Sequence, residues 1–309
     1  MDVMTVRGPM RSTELGLVQP HEHVFIEWYW FSWNPDHLLN VERLQVEELA
    51  RFRSAGGTTI FDMSAAGCAH FHDRAEDALA LKRVSEATGL NIVLGAGWYR
   101  EPTYPAYIDR LSVARLADLI VEELERGVGG TTIRAGIIGE LAVHKDAISP
   151  REERVLRAAA RAQSRTGAAI AVHSAHVPVG LAQLDILQDA GADLRRVVVA
   201  HCDTYPDPEY HDAIASRGAF VEFDTIGIET MWSDEDRIAL VLEMIRRGHL
   251  DRLLLSLDIS RKSQLTHFGG RGYAHLLEGF LPRLRAAKVT EEQIDVLTRV
   301  NPRILVAGS

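Results

Sequence analysis

The sequence predicts an α/β protein of the (β/α)8 (TIM) barrel class, a single domain over residues 1–309 that opens with a short hairpin-like segment around residues 2–15. Three observations carry the prediction. Short β-branched or aliphatic runs alternate with longer stretches of helical period. The ends of these runs fall roughly 20 to 45 residues apart, which suits βα units with modest loop insertions. Most runs end in an ionisable residue, where a barrel keeps its reactive groups.

In order, the runs are LGLVQPHEH ending at His23, TTIFDM near Asp62, NIVLGAG ending at Gly97 and IRAGIIGE ending at Glu140. AAIAVH ending at His173, RVVVAH ending at His201, AFVEFD ending at Asp224 and LLLSLD ending at Asp258 complete the set. Helix starts support it. Ser149-Pro150-Arg151-Glu152 offers an N-cap serine, proline at the first helical position and a glutamate placed for a capping box. Ser233-Asp234-Glu235-Asp236 and Thr290-Glu291-Glu292-Gln293 open two later helices in the same way. Gly248, after Arg246 and Arg247, reads as a helix stop with favourable charge in the last turn.

Composition narrows the function. With 46% apolar and 25% charged residues, the chain has the balance of a globular protein. It has no unbroken apolar run long enough to span a bilayer. The start, MDVMTVRGPMRSTELG, lacks the pattern of a secretory signal, so a cytoplasmic address is expected and a membrane partner is not. Cys68 and Cys202 have no metal-knuckle spacing, and that address argues against a disulfide between them. A net charge of −9 without a clustered basic face argues against nucleic acid, leaving a small molecule as the expected partner.

The run ends supply the chemistry. Residues i and i+2 of a strand share a face, so His21 and His23 both project inward and one metal can take both imidazoles, while Glu22 points the other way. Taken singly, His173 and His201 read more readily as core histidines donating to a carbonyl. Glu140 and Asp258, however, end apolar runs, and a buried carboxylate is costly unless paired or bound to a cation. All six residues are metal-binding types converging on one rim, too many for one tetrahedral ion but suited to two divalent ions sharing a bridging carboxylate. Imidazole and carboxylate donors suit several such ions and no thiolate set restricts the choice; Zn2+ is expected, with Mn2+, Co2+, Fe2+ or Ni2+ as alternatives. Two such ions about 3.5–4 Å apart lower the pKa of a bridging water from 15.7 to roughly 7, which points to attack by a metal-bridging hydroxide. Asp258 is the candidate catalytic residue, taking the proton and passing it to the leaving group.

These same residues carry a resemblance. TVRGPMRSTELGLVQPHEH, GWYREPTYP, IRAGIIGE, AVHSAH, AHCD, FVEFDTIG, LLLSLDISRKSQL and the terminal VNPRIL resemble, nearly end to end, the phosphotriesterase family of the amidohydrolase superfamily, and above all its phosphotriesterase-homology branch. The resemblance implies one metal held by His21, His23 and Asp258, and a second held by His173 and His201. It implies Glu140 as the bridge where many members use a carbamylated lysine, with Lys145 the competing candidate. It also implies a homodimer. One departure is the stretch Gly67-Cys68-Ala69-His70-Phe71-His72-Asp73, where members commonly carry Gly-x-x-Arg; His70 and His72 are expected at the surface.

Aromatic residues cluster after the first run, at Trp28, Tyr29, Trp30, Phe31 and Trp33, and again at Trp98, Tyr99, Met231 and Trp232. They predict an apolar rim above the metals. Trp28, Trp98, Tyr99, Trp232 and Arg261 are the candidate substrate-binding residues, Tyr99 by the resemblance. Lys262 beside Arg261 also suits an anionic substrate group, and Asp203 suits support of a histidine, a proton route or, equally, a cap on the following helix. The expected reaction is hydrolysis of a lactone or related carboxyl ester. A phosphotriester, an amide or a carbamate would use the same site, and an inactive metal-binding scaffold is the non-enzyme alternative.

Overall fold

The computed structural model describes residues 1–69, 73–230 and 232–308, so His70, His72 and Met231 lie outside the described residues. The opening segment is a hairpin: β1 (Asp2–Thr5) and β2 (Gly8–Arg11) pair antiparallel, with Thr5 opposite Gly8. β3 (Val18–Glu22) then begins the barrel. A small ribbon of β4 (Ile26–Glu27) and β5 (Leu38–Leu39) flanks the four-residue helix α1 (Tyr29–Ser32) in the first loop.

Seven further strands follow, β6 (Thr59–Asp62), β7 (Asn91–Ala96), β8 (Ile137–Ala142), β9 (Ile170–His173), β10 (Val197–Ala200), β11 (Phe220–Phe223) and β12 (Leu253–Leu255). Together with β3 they form one eight-stranded parallel sheet in chain order. The helices between them are α2 (Glu42–Ser54), α3 (Arg74–Thr88), α4 (Val113–Glu125), α5 (Pro150–Thr166), α6 (Gly180–Asp189), α7 (Pro208–Ser216) and α8 (Asp234–Arg246). Three short helices end the chain: α9 (Leu281–Ala286), α10 (Glu291–Asp295) and α11 (Asn301–Ala307). All three expected capping boxes form, at Ser149 with Glu152, Ser233 with Asp236 and Thr290 with Gln293.

The seam between β12 and β3 is sewn mainly by side chains. The His21 amide donates to Ser256 Oγ at 3.0 Å, and the Glu22 carboxylate accepts the amides of Leu257 at 3.0 Å and Ile259 at 2.9 Å. Glu22 thus joins the first and last strands, and burial pushes its pKa up to about 8. Inside the barrel an apolar plug of residues such as Val18, Phe61, Val93, Ile137, Phe220 and Leu254 is floored by Leu305 and Val306 of α11. A larger apolar shell packs the strands against the helices.

Candidate metal centre and its cavity

Climbing a strand by two residues keeps the same face, so the interior layer changes from apolar to polar towards the C-terminal ends. Ala171 is followed by His173, Phe220 by Glu222 and Asp224, and Leu254 by Ser256 and Asp258. The ligand positions overrun the strands they were expected to close. His23, His201 and Asp258 lie beyond the last paired residues of β3, β10 and β12, and Glu140 lies within β8. His201 and Asp258 adopt left-handed backbone, with φ of 60° and 48°, which ends the ladder and turns each side chain over the barrel mouth.

Glu140 sits at the centre. Its Oε1 is 3.5 Å from His23 Nε2, while Oε2 is 2.8 Å from His173 Nδ1, 3.3 Å from His201 Nε2 and 3.5 Å from His21 Nε2. Asp258 Oδ1 lies 3.3 Å from His23 Nε2. Gly139 makes this placement available. Its φ is +119°, and a Cβ there would fall 2.4 Å from the Ala171 carbonyl oxygen. The β8–β9 register shifts at the same place, between Ile138 and Leu141.

The residues fit a pair of ions. His21–His23–Glu140 and Glu140–His173–His201 each bring donor atoms within 4.8 Å of one another, and the two sets share Glu140 as a bridge would. His21 Nε2 is buried without a hydrogen bond, although its Nδ1 is engaged 3.1 Å from Glu222. Burial, then the neighbouring His201, lowers the pKa of His173 to about 3, whereas burial is outweighed at His23 by Cys68 and Asp258, and at His201 by Asp224, which raise the pKa of those two imidazoles. Burial opposes the Glu140 charge, yet His173, His201 and His21 outweigh it and hold the carboxyl well below its usual range. Lys145 is exposed in the loop beyond β8.

Behind these ligands stands a layer that was not anticipated. Asp224 Oδ1 lies 2.8 Å from His201 Nδ1, its oxygens accept the His201 amide, and Oδ2 is 3.2 Å from His21 Nδ1. Ser64 Oγ lies 2.9 Å from His23 Nδ1. His21, His201 and Asp224 are themselves close enough to hold an ion, but those hydrogen bonds give Asp224 an orienting place. The signal was present in FVEFD, where two carboxylates alternate with apolar residues just as the histidines do in HEH. Asp203 is enclosed in a different network. It accepts from Arg237 Nε at 2.8 Å and Thr225 Oγ1 at 2.6 Å, so it pins the loop after β11.

A cavity of about 340 Å³ opens over the centre, and Trp28, Tyr99, Arg100, Trp232 and Arg261 line it with the metal-facing residues. Trp28 and Tyr99 have ring centroids 4.8 Å apart. Trp98 is elsewhere: neighbouring residues of an extended segment face opposite ways, and its Nε1 donates to Tyr107 at 2.9 Å, outside this cavity. Tyr29, Trp30, Phe31 and Trp33 are exposed on and after α1, Trp33 by 76%, so they do not wall the cavity. Arg74, seven residues past Gly67, donates to the Ser64 and Gly95 carbonyls at 3.0 and 2.7 Å, tying together the ends of β6 and β7.

Residues 1–306 match the phosphotriesterase family as a whole. The chain belongs to that family. It is 36% identical over 287 residues to the phosphotriesterase homology protein of Escherichia coli, an alignment covering 93% of this chain and 96% of that one. It is 32% identical to an N-acetyltaurine hydrolase of Tetraodon nigroviridis, over 97% of this chain and 96% of the relative. A lactonase from Listeria monocytogenes superposes with a TM-score of 0.92 at 26% identity, covering all of both chains. Like these phosphotriesterase-family relatives, the protein is a hydrolase, and its His, Glu and Asp cluster is the candidate metal site of that family.

Proposed function

We propose that this phosphotriesterase-family protein hydrolyses a lactone or related carboxyl ester at a two-metal centre. The observation that carries the reading is the convergence of four imidazoles around the two oxygens of Glu140, with Asp258 beside His23. The Listeria relative of the same fold is a lactonase. Two divalent ions bound there would supply Lewis-acid polarisation of the carbonyl and an acidified water. With imidazole and carboxylate donors we take zinc as the ion, and the cytoplasm as the site of action.

The chain's own groups divide the remaining work. Glu140 holds the two ligand sets together. Asp258 stands beside His23; burial opposes its charge, but His23 and His201 lower its pKa, leaving a carboxylate ready to accept a proton and return it to the leaving group. Trp28 and Tyr99 shield one side of the cavity from water. A second reading, amide hydrolysis by the same groups, is favoured by the N-acetyltaurine hydrolases among the relatives.

The test is proton release by the metal-loaded protein across lactones of varied ring size and tail, with metal content measured on the same sample. Turnover by wild type, two ions per chain and a loss of about 10²–10⁴-fold in Asp258→Asn are expected. Silence on every lactone, with amides cleaved instead, would replace the first reading by the second.

A further inference from the structure

The cavity wall holds a cation, Arg100, that no acid among the described residues answers. The Arg100 guanidinium lies against aromatic faces, with Cζ 4.4 Å from the ring centroid of Trp28 and 4.5 Å from that of Tyr99. Its Nη2 donates to the Tyr99 hydroxyl at 2.5 Å and lies 3.5 Å from His173 Nε2. Its Nε is buried without a hydrogen bond, and among the described residues Nη1 has no hydrogen-bond partner and no carboxylate pairs with the group. Arg237, lining the same cavity, shows the contrast: its Nε meets Asp203 at 2.8 Å. Arg261 also lines the cavity, on the exposed loop after β12, and among the described residues it too lacks an ion pair.

A half-buried guanidinium gives up part of its hydration, which is costly unless it is paired. The ring faces repay part of that cost and fix the plane of the group, but they offer nothing to its remaining donors. A planar fork held rigidly beside a metal-facing histidine, with a donor unspent, matches the two oxygens of a carboxylate or sulfonate. Arg261 adds a second positive charge at the mouth of the same cavity.

We propose that Arg100, assisted by Arg261, binds an oxyanion carried by the substrate, so that the hydrolysed ester or amide bears a carboxylate or sulfonate. This rests on the hydrolase reading above and names the substrate class for it. Arg100 sets specificity: it selects the substrate by holding the charged end while the carbonyl lies over Glu140.

Matched substrates test it on the metal-loaded full chain: monomethyl glutarate against dimethyl glutarate, and N-acetyl-β-alanine against N-acetylethanolamine. Wild type should prefer the anionic member of whichever pair it cleaves. In Arg100→Gln that preference, as a ratio of kcat/KM values, should fall about 10- to 100-fold, chiefly through KM. Arg100→Lys should recover part of it, and Arg261→Gln should lower it less. An unchanged ratio in Arg100→Gln overturns the proposal, because a merely structural arginine would depress both members together.

Calorimetric titration with propane-1-sulfonate against propan-1-ol reads the same site without turnover. Sulfonate binding that is lost in Arg100→Gln supports the proposal. No binding, or binding unchanged in the variant as for an anion held by the metals alone, overturns it. If neither substrate pair is cleaved, these acyclic esters and amides are not substrates of the site, and the titration alone decides the anion site.

Discussion

Asp224 makes the most of its place among the single residues, because one carboxylate serves histidines from two strands. It accepts from His201 at Nδ1 and at the amide, and it reaches the Nδ1 of His21, which leaves both Nε2 atoms directed at Glu140. Burial raises its pKa, so its charge is sustained chiefly by those two imidazoles. A ligand whose far nitrogen is held in this way is oriented before any ion arrives. Asp224→Asn keeps the shape and removes the charge. We expect ion affinity to weaken about 10- to 100-fold, measured by competition against a chromophoric chelator, with far-ultraviolet circular dichroism unchanged. Wild-type affinity in that variant would show that Asp224 only fills space.

Among the elements, the loops are fastened by a few buried acids, and Asp234 at the start of α8 is the clearest of them. Its Oδ1 accepts the Gly227 amide at 2.8 Å, and its Oδ2 meets His275 at 2.8 Å, Arg271 at 2.9 Å and Arg283 at 3.2 Å. It therefore clasps the loop after β11, the segment after β12 and α9 together. Burial alone would raise its pKa, but His275, the Gly227 amide and Arg271 outweigh burial and hold it at about 2, below the ordinary 3.8. A carboxyl depressed on folding stabilises fully above its unfolded value, and that stability drains away as pH falls through the folded one. Asp234→Asn should cost roughly 2–3 kcal/mol near neutrality. In urea titrations the gap from wild type should narrow between pH 4 and pH 2.5. A gap that stays constant over that range would sink the assignment. The three capping boxes were legible beforehand because the cap and its partner, Glu152, Asp236 or Gln293, lie three residues apart. Asp234's clasp was not, since its partners lie up to 49 residues away and no local pattern names them.

For the whole molecule, the barrel was readable because eight buried runs alternate with amphipathic stretches, and the candidate metal cluster because polar groups interrupt those runs at their ends. What stayed hidden depended on the ring closing. Glu22 stitches β3 to residues more than 230 positions away, and Arg100 becomes conspicuous only when Trp28 is folded over it from a different loop. Trp98 illustrates the same limit, for its neighbour Tyr99 takes the cavity while Trp98 turns to Tyr107. The candidate donors gather from β3, β8, β9 and the segments after β3, β10 and β12, so the cluster exists only when that ring is complete. Ions that bind the folded chain and not the unfolded one stabilise it by about 4 kcal/mol at 1,000 times their dissociation constant. Chelation should therefore lower the midpoint of thermal unfolding, by roughly 5–10 °C for a domain of this size, and restored zinc should recover it. Scanning calorimetry of apo and reloaded protein reads this directly. Equal midpoints would mean that the six donors hold the barrel mouth together without ions, and Glu140 would then be a hydrogen-bonding hub in place of a bridge.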